Sequence, residues 1–211
     1  MTVELESRAM RRAPVQRRST ERVDRMLDVC ATLLHDVGYE ALTTKGIAEQ
    51  AGVSIGSVYQ YFPDKKSIVR ALAVRYLEEF QQRLAAALVG CPLNQWSELV
   101  DTLVEVHAEM VRDTAGFRAL RAGPVPNPYI LQPHSDNQTM LIGVVRGLFG
   151  DRVQLPEDES VARHLVIAMT IGDALLQLAY RRRLAGDPAV LAEVTPVVTS
   201  YLDEMVPLVP G

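Results

Sequence analysis

Apolar residues recur three and four positions apart along nearly the whole chain, the spacing of one face of an α-helix. No stretch sustains the alternation of a half-buried strand, and the Asn-Gly and Asp-Gly hairpin signals do not occur. The pattern predicts an all-α protein. A first helix starts after Ser19 or Thr20 as N-cap, carries Glu21 and Asp24 in its first turn, and aligns Val23, Met26, Leu27, Cys30, Leu34 and Val37 before Gly38 stops it. Thr43 or Thr44 caps a short second helix with Ile47, Ala48 and Ala51 inward, and Ser54 caps a third with Val58 and Phe62 buried. Pro63 and Asp64 restart the chain as a fourth, whose Ile68, Leu72, Tyr76, Phe80, Leu84 and Leu88 keep helical spacing for about six turns. Such a length suits a connector between two units.

Beyond Gly90 the periodicity resumes with Trp96, Leu99, Val100, Leu103, His107 and Met110, followed by a short piece around Phe117 and Leu120. Residues 123–134 carry Pro124, Pro126, Pro128 and Pro133, which predicts a surface loop or lid. Helices are expected again near 136–149, 157–184 and 187–205, with Pro188 in the first turn of the last and Pro196 kinking or dividing it.

A chain of 211 residues, 48% hydrophobic and 23% charged, can bury a core without disulfides or metals. Cys30 and Cys91 show no paired spacing, and Cys30 reads as a reduced core thiol. The first twenty residues hold no signal-peptide pattern. The most apolar run, Leu165 to Ala179, contains Asp173 and Gln177 and is too short for a bilayer, so a cytoplasmic protein without a membrane partner is expected. A formal net charge of −4 argues mildly against nucleic acid until it is divided along the chain. Residues 1–70 hold 11 Lys and Arg against 9 Asp and Glu, whereas residues 71–211 hold 11 against 17. At the positive end Arg8, Arg11, Arg12, Arg17, Arg18, Arg22 and Arg25 are opposed only by Glu21 and Asp24, which fits either a phosphate partner or a solvated arm.

Residues 43–62, TTKGIAEQAGVSIGSVYQYF, have the layout of a helix-turn-helix: two short helices joined by a tight turn containing glycine. Gly52 suits the positive φ of that turn and Val53 plugs the angle between the helices. With Val58 and Phe62 inward, Ile55, Gly56, Tyr59 and Gln60 form the opposite face, the one a recognition helix turns to the major groove. There Gln60 can bond a base edge, Ile55 can meet a thymine methyl, Gly56 permits close approach, and the hydroxyls of Tyr59 and Tyr61 can reach phosphates. Ser54, Ser57 and Thr44 add donors near helix N-termini. Lys65 and Lys66 oppose the macrodipole of the fourth helix, which a phosphate would offset; a solvated lysine pair is the alternative.

The stretch GYEALTTKGIAEQAGVSIGSVYQYFPDKKSIVRAL closely resembles the DNA-binding region of TetR-family transcriptional regulators over about residues 20 to 75. The resemblance implies a helical protein that dimerises through its last two long helices, binds a palindromic operator on double-stranded DNA and releases it when a small-molecule effector enters the C-terminal domain. It also implies DNA contacts by Thr44, Ser54, Ile55, Gly56, Ser57, Tyr59, Gln60, Tyr61 and Lys65. Two positions depart from the family pattern: Gly46 stands where an acidic residue or alanine is common, and Ile55 where lysine is common. The expected organisation is a flexible basic arm over 1–19, a three-helix helix-turn-helix domain over 20–66, and a helical bundle for ligand binding and dimerisation over 67–211.

Residues 165–179 are apolar nearly all round, which suits burial on two sides, and Ala168, Gly172 and Ala179 would admit a partner helix. Leu191, Val194, Val198, Tyr201, Leu202 and Met205 supply the second half of a homodimer bundle. Candidate effector contacts are His107, Asp173 and Gln177, with Trp96, Met110, Phe117, Arg121, Tyr129, Met169 and Tyr180 as walls. No histidine has the Glu-x-x-His spacing of a di-iron bundle, and HExxH, phosphate-loop and GxSxG patterns do not occur, so neither an enzyme nor a cofactor or metal site is expected.

Overall fold

The computed structural model describes residues 17–90, 93–122, 143, 145–147, 149, 153–154, 160–181, 183 and 185–210. They form helices α1 (Arg17–Ala41), α2 (Thr44–Ala51), α3 (Ile55–Tyr61), α4 (Lys65–Ala87), α5 (Trp96–Asp113), α6 (Ala115–Ala122), α7 (Ser160–Tyr180) and α8 (Pro188–Met205). Positions 143, 145–147 and 149 are also helical; the proline-rich stretch 123–134 and Cys91 lie outside the described residues. The all-α expectation holds but for one antiparallel pairing, β1 (Val153–Gln154) with β2 (Val209–Pro210). Two residues are too few to show a period.

Two compact units divide the chain, one over 1–80 and 110–128, the other over 81–109 and 129–211. In the first, α1 begins at Arg17, earlier than a cap at Ser19 or Thr20 implies, because arginine extends a helix readily. Val23, Met26, Leu27, Cys30 and Leu34 are buried as expected, but Val37 is 50% exposed, in the turn where Gly38 (φ 76, ψ 172) leaves helical geometry. Burial pushes the Cys30 thiol up to about 12, with Arg75 drawing it weakly the other way, so the thiol stays protonated and inert. Arg75 reaches from α4 to Asp28 on α1 at 2.7 Å.

Helix α6 packs on α1, and Gly116 lets it come close. A Cβ at this position would overlap Tyr76 Oη and lie 2.7 Å from the Cβ of Ala31. The next residue, Phe117, meets Tyr76 edge-on at 5.8 Å between ring centres.

In the second unit α7 and α8 form an antiparallel helical hairpin. Gly186 (φ 77) turns the chain where a Cβ would stand 2.7 Å from Leu191, and Asp187 caps α8 through Ala189 N at 3.0 Å. His164 Nδ1 bonds Tyr201 Oη at 2.8 Å between the two helices. Their shared core takes in Leu93, Trp96, Leu99, Val100, Val145, Phe149, Val161, Leu165, Val194, Val198, Leu202 and Val206. Helix α8 runs undivided through Pro196: both Pro196 and Ala192 face solvent, so water can take the carbonyl that proline leaves unbonded.

Two expectations for α7 need correction. Ala168 and Ala179 are buried within the protomer, and a Cβ on Gly172 would meet Val198 at 3.5 Å, so these small residues admit the chain's own α8 instead of a partner. The apolar helix also starts at Ser160, and its 21 residues are long and apolar enough to cross a membrane by length and composition, with 22% of that window buried.

The packing at Gly116 gives a direct test. Gly116→Ala should destabilise the fold by about 1–3 kcal/mol, the usual cost of overpacking, read as a lower urea midpoint at unchanged slope.

Candidate nucleic-acid interface

The two short helices are set by their caps. Thr43 Oγ1 accepts from Gly46 N at 3.0 Å to start α2, and a Cβ added at Gly46 would lie a close 3.2 Å from that oxygen. Gly52 (φ 65) ends α2 in a Schellman turn, with Gly52 N donating to Glu49 O at 3.3 Å and Val53 N to Ala48 O at 3.0 Å. Ser54 then opens α3, its Oγ accepting from Ser57 N at 3.1 Å and meeting Ser57 Oγ at 2.9 Å.

Val58 and Phe62 are wholly buried, and Ile55, Gly56, Tyr59 and Gln60 are exposed on the other side of α3, as the spacing predicts. Ser54 is exposed, and Ser57 and Thr44 are half-buried. Thr44 Oγ1 lies 3.3 Å from Tyr59 Oη, which ties the start of α2 to the outward face of α3 and orients the phenol. A Cβ on Gly56 would find only Ser54 Oγ at 3.9 Å, so the glycine answers no internal crowding.

Two residues expected at DNA are placed otherwise. Tyr61 is buried at 4% exposure beside Val58, because it falls on the inward side of a helix too short to have a wide polar face. Lys65, expected at a phosphate, donates from Nζ to the carbonyls of Tyr39 at 2.9 Å and Glu40 at 3.2 Å, with the Tyr39 ring centre 4.6 Å away. Sequence reasoning missed this because the partners are backbone atoms 25 and 26 positions earlier, which no side-chain pattern marks. Lys66 is exposed. The dipole that both lysines oppose is met by Asp64, whose Oδ1 accepts from Ser67 N and Ser67 Oγ, each at 2.7 Å. The Ser67 hydroxyl, the Ser67 amide and the charge of Lys66 hold the Asp64 carboxyl below its usual range.

The candidate effector contacts fall in both compact units. Trp96 stands in the core of the second: it is 1% exposed, donates its indole N–H to Val206 O at 2.9 Å and meets Phe149 edge-on. Met110 and Phe117 are buried and, with half-buried Arg121, belong to the first compact unit. His107 is buried beside Tyr180 in the second, at 5.4 Å between ring centres. On α7, Met169 is half-buried, and Gln177 bonds Asp173 at 2.7 Å. Tyr129 lies outside the described residues.

A capped helix pair with a polar and aromatic outward face on its second helix defines a helix-turn-helix DNA-binding protein. Residues 26–72 match the family model for bacterial regulatory proteins of the tetR family, and residues 94–206 match the tetracyclin repressor-like C-terminal domain. The chain belongs to the tetR family and is a DNA-binding transcriptional regulator, not an enzyme. A TetR-family transcriptional regulator from Streptomyces coelicolor is 32% identical, over 88% of this chain and 98% of its own, with a TM-score of 0.68. The HTH-type transcriptional repressor KstR is 36% identical over 63 residues in Rhodococcus jostii, 30% of each chain. In Mycolicibacterium smegmatis KstR is 32% identical over 85 residues, 39% of this chain and 42% of the relative. The matches thus span less than half the length of these curated relatives.

Two outcomes follow for variants of this region. Gly56→Ala should leave stability equal or raise it by about 0.5–1 kcal/mol while weakening DNA binding, since the added methyl crowds only what approaches from outside; a binding titration beside a urea melt separates the two. Asp64→Ala should cost about 0.5–2 kcal/mol, as loss of an N-cap does. Because the folded pKa of Asp64 is depressed, that difference is present above the ordinary carboxylate pKa and disappears as pH falls through the lowered value, which urea melts between neutral and acid pH will read.

Proposed function

We propose that the protein is a homodimeric repressor that binds a palindromic operator in the cytoplasm and is released by a small-molecule effector. The observation that carries this reading is the division of α3: Val58 and Phe62 have no exposed surface, while Ile55, Gly56, Tyr59 and Gln60 are turned outward. Thr44, Ser54 and Ser57 flank that face at the N-termini of α2 and α3, where phosphates bind well. Gln60 reads a base edge, Ile55 a thymine methyl, and Tyr59 a phosphate.

Pairing is supported by the outer side of the α7–α8 hairpin. Along α7, Arg163, Ile167, Thr170, Ala174, Gln177 and Leu178 are exposed at helical spacing, with Leu178 53% exposed. Along α8, Ala189, Ala192, Pro196, Val197 and Ser200 form a similar stripe of small and apolar residues. A bilayer is a poor cover for α7, since it would surround Arg163, Asp173 and Gln177 with hydrocarbon. A second copy of the hairpin covers the same stripe and sets two recognition helices for half-sites about 34 Å apart. The effector acts by binding a non-operator conformation more tightly than the operator-bound one; the match of residues 94–206 to a tetracyclin repressor-like domain supports placing its site there.

Leu178→Glu tests pairing and operator binding together. The variant should stay helical by circular dichroism, sediment as a monomer, and lose about a hundredfold or more in affinity for a duplex selected by the wild-type protein, because only one half-site is then engaged. A wild-type protein that sediments as a monomer, or a dimeric Leu178→Glu with undiminished affinity, would sink the proposal.

A further inference from the structure

Lys65 sits in the first turn of α4, where the helix macrodipole disfavours a cation. Its ammonium is nevertheless held by backbone carbonyls distant in sequence. Tyr39 and Glu40, whose carbonyls accept its protons at 2.9 and 3.2 Å, lie in the single turn that follows the non-helical Gly38. A single turn is too short to bond its own last carbonyls, which leaves them to accept from a side chain. The Tyr39 ring, 4.6 Å from Nζ, adds a cation–π contact. One charge that is unfavourable for its own helix thus ties that helix to the turn that follows Gly38.

The position of this tie matters for α3. The recognition helix ends at Tyr61 and is separated from Lys65 by Phe62, Pro63 and Asp64 alone. Phe62 is fully buried, its N–H bonded to Val58 O at 2.9 Å, and Asp64 caps α4. A link of two residues, one of them proline, between a buried anchor and a fixed lysine leaves little conformational freedom. We infer that Lys65 is a positioning residue for DNA binding: by locking the first turn of α4 onto the end of α1 it holds the C-terminal end of α3, with Tyr59 and Gln60, in register for the groove, and it does not itself neutralise a phosphate. The inference rests on α3 being the DNA-reading helix.

Salt dependence separates positioning from phosphate contact, because only cations that displace condensed counterions add to the slope of log Kd against log salt. The test compares full-length wild type, Lys65→Met, Tyr39→Leu and the double variant on a duplex that the wild type selects from random-sequence DNA. Lys65→Met keeps the stem and removes the charge; Tyr39→Leu removes the ring and spares the lysine. Positioning predicts about a tenfold rise in Kd for folded Lys65→Met, the scale of one charged hydrogen bond, a smaller rise for Tyr39→Leu, and an unchanged salt slope for both. The double variant should lose less than the product of the single losses, as coupled neighbours do. A slope shallower by about one per protomer in Lys65→Met marks a phosphate contact and overturns the inference, as does full affinity in folded Lys65→Met. Failure of the wild type to select any duplex is a separate outcome that removes the reading of α3 and this inference with it.

Discussion

The seat of α3 governs the rest of the DNA-binding face. A helix of seven residues has no stability of its own in water, so its shape and aim come from what it buries. Val58, Tyr61 and Phe62 supply that burial, the Schellman turn at Gly52 fixes the angle at which α3 leaves α2, and Ser54 satisfies its first amides. Thr44 and Tyr59 then join the outward side of the pair by a single hydroxyl contact. The aim of the helix is therefore a property of the packed unit around it, and α3 alone would not carry it.

Much of this was legible in the residues because each signal is local. The cap at Ser54, the positive φ of Gly52, and the pairing of Val58 with Phe62 are dictated within a few positions along the chain, and all three stand where the pattern put them. The surroundings of Tyr61 and Lys65 escape the local pattern for a shared reason. Each has a polar tip that reads as a contact for DNA, and whether that tip meets water or the protein's own backbone depends on elements distant in sequence. Chain separation also hid the close approach at Gly116, which is explained only by Ala31 and Tyr76.

In the second unit the same division holds. Periodicity shows that α7 is apolar on more than one side, but cannot say which side meets α8. Ala168, Gly172 and Ala179 look like a groove for a partner helix, yet the protomer uses them for its own hairpin and leaves Thr170, Ala174 and Leu178 outside. The partner of Trp96 is equally hidden from the local pattern, since its indole N–H bonds the Val206 carbonyl 110 positions away.

The open surroundings of Gly56, shared by exposed Ile55 and Gln60, separate the task of folding from that of reading DNA. Changes at positions with few internal neighbours shift stability by only about 0.5 kcal/mol in either direction. Single replacements at these positions therefore alter the outward face of α3 without calling for compensating mutations in the core.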